Sequence, residues 1–146
     1  MKIISSVFSP PEQKEEKEQT FEPDREIAPL CEAINHVGKC RTISSCSQYR
    51  FPDEGIQGDP HRPGGGQVYV SIVFQSTESM ALVIDAFMTS TYHWKIFVPK
   101  RHAKDYSLGK NEVRLIFQNM FDNREGRDRE FKRLIDFLNE KIFEHA

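Results

Sequence analysis

The sequence predicts an α+β fold, or a mixed α/β one: a single domain whose helices pack on a mainly antiparallel sheet of four or five strands. Three observations carry that expectation. The hydrophobic pattern alternates between spacings of three or four and strict two-residue alternation. The elements it defines run in the order αββαββα, behind an N-terminal stretch, Ile3 to Phe8, able to form a further strand. The chain has 146 residues, enough for one compact core and too few for two full-sized domains.

Each element follows from its residues. Residues 1–23 form a strand and an acidic arm, because Ser9 to Gln19 offers almost nothing to bury. From residue 24 to 146 the chain is one folded unit. Ile27, Leu30, Cys31, Ile34 and Val37 recur at helical spacing between Asp24, a capping residue type, and Gly38, a stopping one. That places a first helix over 24–37, although Pro29 argues for a start nearer Ala28. Lys39 to Ser44 reads as a brief strand running into a polar turn, Ser45-Cys46-Ser47. Prolines and glycines then break every period from Gln48 to Gly66, which predicts a long loop of the kind that is usually either functional or disordered.

Gln67 to Phe74 is a strand with Val68, Val70, Ile72 and Phe74 on one face and Tyr69, Ser71 and Val73 on the other. Ser76-Thr77-Glu78 opens a helix reaching Ser90, with Met80, Val83, Ile84, Phe87 and Met88 inward. Asp85 is the one charge in that stretch, either a buried site carboxylate or a residue on the exposed edge. Strands over 94–98 and 112–117 are joined by a basic connection, and a last helix over 127–143 turns Phe131, Leu134, Ile135, Leu138 and Ile142 inward. Its charges, Arg124, Arg127, Arg129, Lys132 and Arg133 interleaved with Glu125, Asp128 and Glu130, read as a solvated face.

Composition narrows the function classes. A formal charge of −2 excludes a globally basic nucleic-acid binder, leaving room for a local patch. No apolar run approaches the ~20 residues of a membrane helix. Three cysteines, Cys31, Cys40 and Cys46, form an odd set, and the N-terminus turns acidic before any signal-peptide core, so the expected setting is cytoplasmic with reduced thiols. The phosphate-loop, dinucleotide, paired-cysteine zinc and Gly-x-Ser-x-Gly fingerprints are all missing, and no metal is expected.

The most unusual string is Ser44-Ser45-Cys46-Ser47. Small hydroxyl residues on a turn present O–H and N–H donors together, as an anionic ligand group requires; the same residues also serve an ordinary turn that satisfies its own backbone. Arg50 and Arg62 supply nearby positive charge, and His61 is a base that would activate Cys46 if the two met. Lys100, Arg101 and Lys104 form the densest basic loop, suited to RNA phosphates or simply to solvent.

The run from Asp24 to Ser47, with Glu32-Ala33-Ile34-Asn35 followed by Thr42-Ile43-Ser44-Ser45-Cys46-Ser47, resembles the N-terminal part of the tRNA wybutosine-synthesising methyltransferase family. Members continue with Gly-Arg where this chain has Gln48-Tyr49-Arg50. The resemblance implies S-adenosylmethionine as cofactor and tRNA as partner. The resulting expectation is a ligand- or RNA-binding site at Ser44 to Ser47 and the loop after it. The alternative is a non-catalytic domain that binds a protein partner.

Overall fold

The computed structural model describes residues 21–54, 67–100 and 108–144. The expected N-terminal strand and the acidic run of the arm lie outside the described residues.

Among the described residues three helices pack on a four-stranded, wholly antiparallel sheet, an α+β fold as predicted. The elements are α1 (Ala28–Asn35), β1 (Cys40–Cys46), a 3-10 turn at Pro52–Glu54, β2 (Val68–Phe74), α2 (Thr77–Met88), β3 (Lys95–Phe97), β4 (Val113–Asn119) and α3 (Arg124–Glu144). Across the sheet the strand order is β1-β2-β4-β3. The alternation read in β2 is observed: Val68, Val70, Ile72 and Phe74 enter the core with Leu30 and Ile34 of α1, Val83 and Phe87 of α2, and Phe131, Leu134 and Leu138 of α3. Aromatic rings tie that core across the sheet, with Phe87 4.4 Å from Phe117 and 4.8 Å from Trp94 between ring centroids.

Local chemistry fixes the boundaries. Pro29 sits in the first turn of α1, where its missing N–H has no helical partner to lose. The helix ends at Asn35, short of Val37, because Gly38 (φ 91°) and Lys39 (φ 54°) turn the chain through the left-handed region. The Ser79 hydroxyl donates to the Gly38 carbonyl at 2.6 Å and pins that turn to α2. Ser76 caps α2 by accepting the Ser79 amide at 3.1 Å. Asn123 does the same for α3, accepting the Gly126 amide at 2.6 Å, so this helix starts three residues before the expected Arg127. Asp85 is exposed, on the outer edge of α2.

Two expectations are corrected. The Ser-Ser-Cys run is not a turn beyond β1 but the second half of the strand, paired through Cys46↔Tyr69, because β2 continues alongside it and takes its ladder bonds. The charges of α3 are not all solvated: Arg127 and Glu130 are almost wholly buried. Groups distant in sequence cover and pair them, Gln48 and Phe51 at Arg127 and Trp94 at Glu130.

At one end of the sheet Glu112 ties three strands together. Its carboxylate accepts from Arg41 (3.0 Å), Gln75 (2.8 Å) and the Gly109 amide (2.8 Å), and these donors hold its pKa down to about 2. A carboxyl depressed on folding contributes stability above its ordinary pKa of 4.5, and that contribution is lost as pH falls through the folded value. Thermal melts of Glu112→Gln should therefore lose less stability than wild type between pH 4.5 and about 2. Parallel pH profiles for the two proteins would remove Glu112 from the acid response.

Candidate functional site

Seven residues of the candidate ligand site come from one stretch and the loop after it, and the structure divides the described ones between the two faces and the end of β1. A β-bulge between Thr42 and Ser44 inserts Ile43 without a partner. Before the bulge Cys40 and Thr42 pair with Phe74 and Ile72 and share the helix face. After it the parity of the strand reverses. Ser45 pairs with Val70 on the helix face, while Ser44 and Cys46 pair with Ser71 and Tyr69 on the opposite one.

On the helix face, Ser45 Oγ is buried beside the Cys31 thiol, whose ionised form it favours, but meets no group at hydrogen-bonding geometry. Burial pushes the Cys31 pKa up, outweighing the Ser45 and Thr42 hydroxyls that lower it. Thr42 donates its amide (2.8 Å) and hydroxyl (3.2 Å) to Asn35 Oδ1. A cleft of about 500 Å³ opens here between α1 and β1, with Cys31, Asn35, Arg41 and Thr42 in its lining.

Ser47 and the residues after it close the end of β1. Asp24 Oδ2 accepts the amide and the hydroxyl of Ser47, both at 2.9 Å, and Oδ1 accepts the Tyr49 hydroxyl. Burial raises the Asp24 pKa, but the Tyr49 and Ser47 donors outweigh it and leave the carboxyl below its ordinary value. Asp24 was expected to cap α1 with its side chain. Its backbone carbonyl does meet the Ile27 and Ala28 amides, at 3.2 and 2.8 Å, but the carboxylate is spent on the strand end. Gln48, read only as loop, is fully buried and exchanges two hydrogen bonds with the Phe121 backbone, at 2.7 and 2.8 Å.

The face of the sheet away from the helices carries the other half of the string. Ser44 stands opposite Ser71, whose hydroxyl accepts Arg114 Nε at 2.7 Å. Cys46 stands opposite Tyr69, and Tyr69 opposite Gln118 of β4. Two hydroxyls, a guanidinium, a thiol and a phenol thus lie within neighbouring rungs, about 5 Å apart strand to strand. The face is largely covered, with Ser71 and Val73 fully buried and Ser44, Cys46, Tyr69 and Arg114 part-buried, so such a set can hold a polar or anionic group only from the part-buried side chains inward. Tyr69 and Ser71 were visible in the sequence as sharing the second face of β2 with Val73, a face on which Ser71 and Val73 are fully buried; Arg114 was not, since nothing local says that β4 lies next to β2.

No protein-family model matches the chain, and no curated protein matches it. It is similar to the solved structure of the PH1069 protein from Pyrococcus horikoshii, at 13% identity over 90% of this chain and 91% of that one, with a TM-score of 0.43.

Of the remaining expected site residues, Arg50 is exposed just past the strand end and Lys100 is exposed after β3. His61, Arg62, Arg101 and Lys104 lie outside the described residues. Among the described residues no group of three metal-ligating side chains converges, no disulfide joins the cysteines, and no helix is long and apolar enough to cross a membrane.

Proposed function

We propose that the chain is a cytoplasmic ligand- or RNA-binding protein of the tRNA-modifying, methyltransferase-like kind, acting on the sheet face that carries Ser44, Cys46, Tyr69, Ser71 and Arg114. The bulge at Ile43 is the observation that supports this most: it turns two residues of the Ser-Ser-Cys-Ser string, both part-buried, away from the helix face and sets them beside a buried hydroxyl and the guanidinium it accepts from. In this reading Ser44, Ser71 and Arg114 hold a polar or anionic part of the ligand, with Arg50 and Arg62 as further positive charge. Ser45 and Ser47 support the strand from its other side. S-adenosylmethionine, the cofactor the resemblance implies, would supply a methyl group if bound at this face, and Lys100, Arg101 and Lys104 would meet RNA phosphates.

Calorimetric titration with S-adenosylmethionine and with tRNA tests the reading, and heat from neither would overturn it. The thiols give a second test. Cys46 is part-exposed, whereas Cys31 and Cys40 are buried, and burial pushes the Cys40 pKa to about 11. Iodoacetamide should therefore alkylate Cys46 about tenfold or more faster than the other two, since access and thiolate fraction together set the rate. Cys46→Ser should weaken binding while leaving the melting temperature nearly unchanged. Slow labelling of Cys46 with a destabilised serine variant would assign the residue to packing instead.

A second reading, a non-catalytic domain for a protein partner, is favoured by one feature. Phe97 and Val98, at the short edge strand β3, are exposed, Val98 by 70%. Silence toward both ligands in the titration would favour it.

A further inference from the structure

The Ser-Ser-Cys-Ser strand end is held from outside the strand. Asp24 lies before α1, 23 residues from Ser47 and 25 from Tyr49, yet its two oxygens take three donors from those residues. Both bonds to Ser47 fall on the residue next to Cys46, and the Tyr49 bond fixes the course of the chain as it leaves the strand. Among the described residues β1 lies at the margin of the sheet, so no described strand on its outer side does this work. The bulge makes the restraint more necessary, because an extra residue loosens the ladder just where Ser44 and Cys46 must keep their parity. The charge that favours the Asp24 carboxylate is Arg127, from α3; the Cys31 thiol, from α1, is kept neutral by burial and by Asp24 itself.

We propose that Asp24 is the positioning residue of the candidate site: by clasping Ser47 and Tyr49 it locks the register that presents Ser44 and Cys46 on the outer sheet face. This rests on the reading of that face as the ligand site. Asp24 itself touches no ligand; it acts through the strand end.

The test uses the full chain with Asp24→Asn, Asp24→Glu and Tyr49→Phe, under conditions where each melts cooperatively. The first readout is the iodoacetamide labelling rate of Cys46, with Cys31 and Cys40 as internal controls for unfolding. Asp24→Asn should speed Cys46 labelling several-fold and leave the controls unchanged, Tyr49→Phe should give a smaller change in the same direction, and Asp24→Glu should restore part of the wild-type rate. A Cys46 rate within twofold of wild type in folded Asp24→Asn, with only the melting temperature lowered, would make Asp24 an ordinary stabilising contact and overturn the proposal. Should Asp24→Asn fail to fold, Tyr49→Phe decides by the same criterion. The second readout is tRNA binding by calorimetry, which should weaken in parallel with the labelling change. If wild type binds neither tRNA nor S-adenosylmethionine while the labelling responds as expected, the ligand reading fails and the clasp stands; if wild type binds and labelling does not respond, the clasp fails and the ligand reading stands.

Discussion

Glu130→Ala should lower stability by about 3 kcal/mol and the melting temperature by roughly 10 °C, visible in thermal denaturation followed by circular dichroism. Glu130 is 1% exposed, yet its carboxylate is fully used: Oε2 accepts the Trp94 indole N–H at 2.6 Å and Oε1 accepts Arg133 Nε at 2.7 Å. Arg133 in turn donates to the Ala86 carbonyl at 2.9 Å, so one carboxylate joins α3 to α2 and to the segment entering β3. Truncation leaves the indole N–H without its acceptor and the guanidinium without its counter-charge. Breaking a buried pair from one side costs about 3–5 kcal/mol, and the lower end applies because Arg133 can still reach water. Trp94 is the chain's one tryptophan, so its emission should also move to longer wavelength if water replaces the carboxylate. Glu130→Gln, which can still accept the indole bond, should fall between the two. A melting temperature unchanged within 2 °C in the alanine variant would refute the assignment.

Arg127→Ala should cost a similar amount, about 3 kcal/mol in urea denaturation. The guanidinium donates to the Gln48 carbonyl at 2.9 Å and lies 5.3 Å from the Phe51 ring centroid and 5.7 Å from that of Phe131. Its loss opens a cavity between two rings and leaves a buried carbonyl unpaired. Arg127→Met, which refills the space but leaves Asp128 without its counter-charge (2.8 Å) and the Gln48 carbonyl without its donor, should recover about half the loss, because Asp128 is 58% exposed and water can replace the guanidinium there. A methionine variant as unstable as the alanine one would show that the charge matters and the packing does not.

Both residues mark where the sequence stops being readable. Helices and strands were legible because periodicity is local: Val68, Val70, Ile72 and Phe74 declare a strand face, and Phe131, Leu134 and Leu138 a helix face, whatever they meet. Arg127 and Glu130 read as surface because the groups that bury them, Gln48, Phe51 and Trp94, are 36 to 79 residues away, while their ionic partners Asp128 and Arg133 are local and look like any solvated helix pair. The candidate site was legible in its residue types and not in its geometry. Ser44 to Ser47 stood out as an unusual string, but a bulge exists only relative to a neighbour's register, and that neighbour begins at Val68. Asp24 offered a capping residue ahead of a helix, and its position gave no hint that its carboxylate would reach forward to Ser47 and Tyr49.

The side-chain bonds along β1 bear on how the protein keeps itself apart from its own copies in a crowded solution. An edge strand recruits a stranger's strand through a regular row of outward amides and carbonyls. In β1 the Thr42 amide is already taken by Asn35, the Ser47 amide just beyond the strand by Asp24, and the bulge at Ile43 puts the row out of step between them. A second molecule approaching this edge finds neither the spacing nor the donors that fibrous assembly needs. The opposite edge, β3, is three residues long and followed within two residues by Pro99, which has no amide hydrogen to offer. Among the described strands the sheet therefore resists edge-on growth at both margins by different means, side-chain occupancy on one side and brevity on the other.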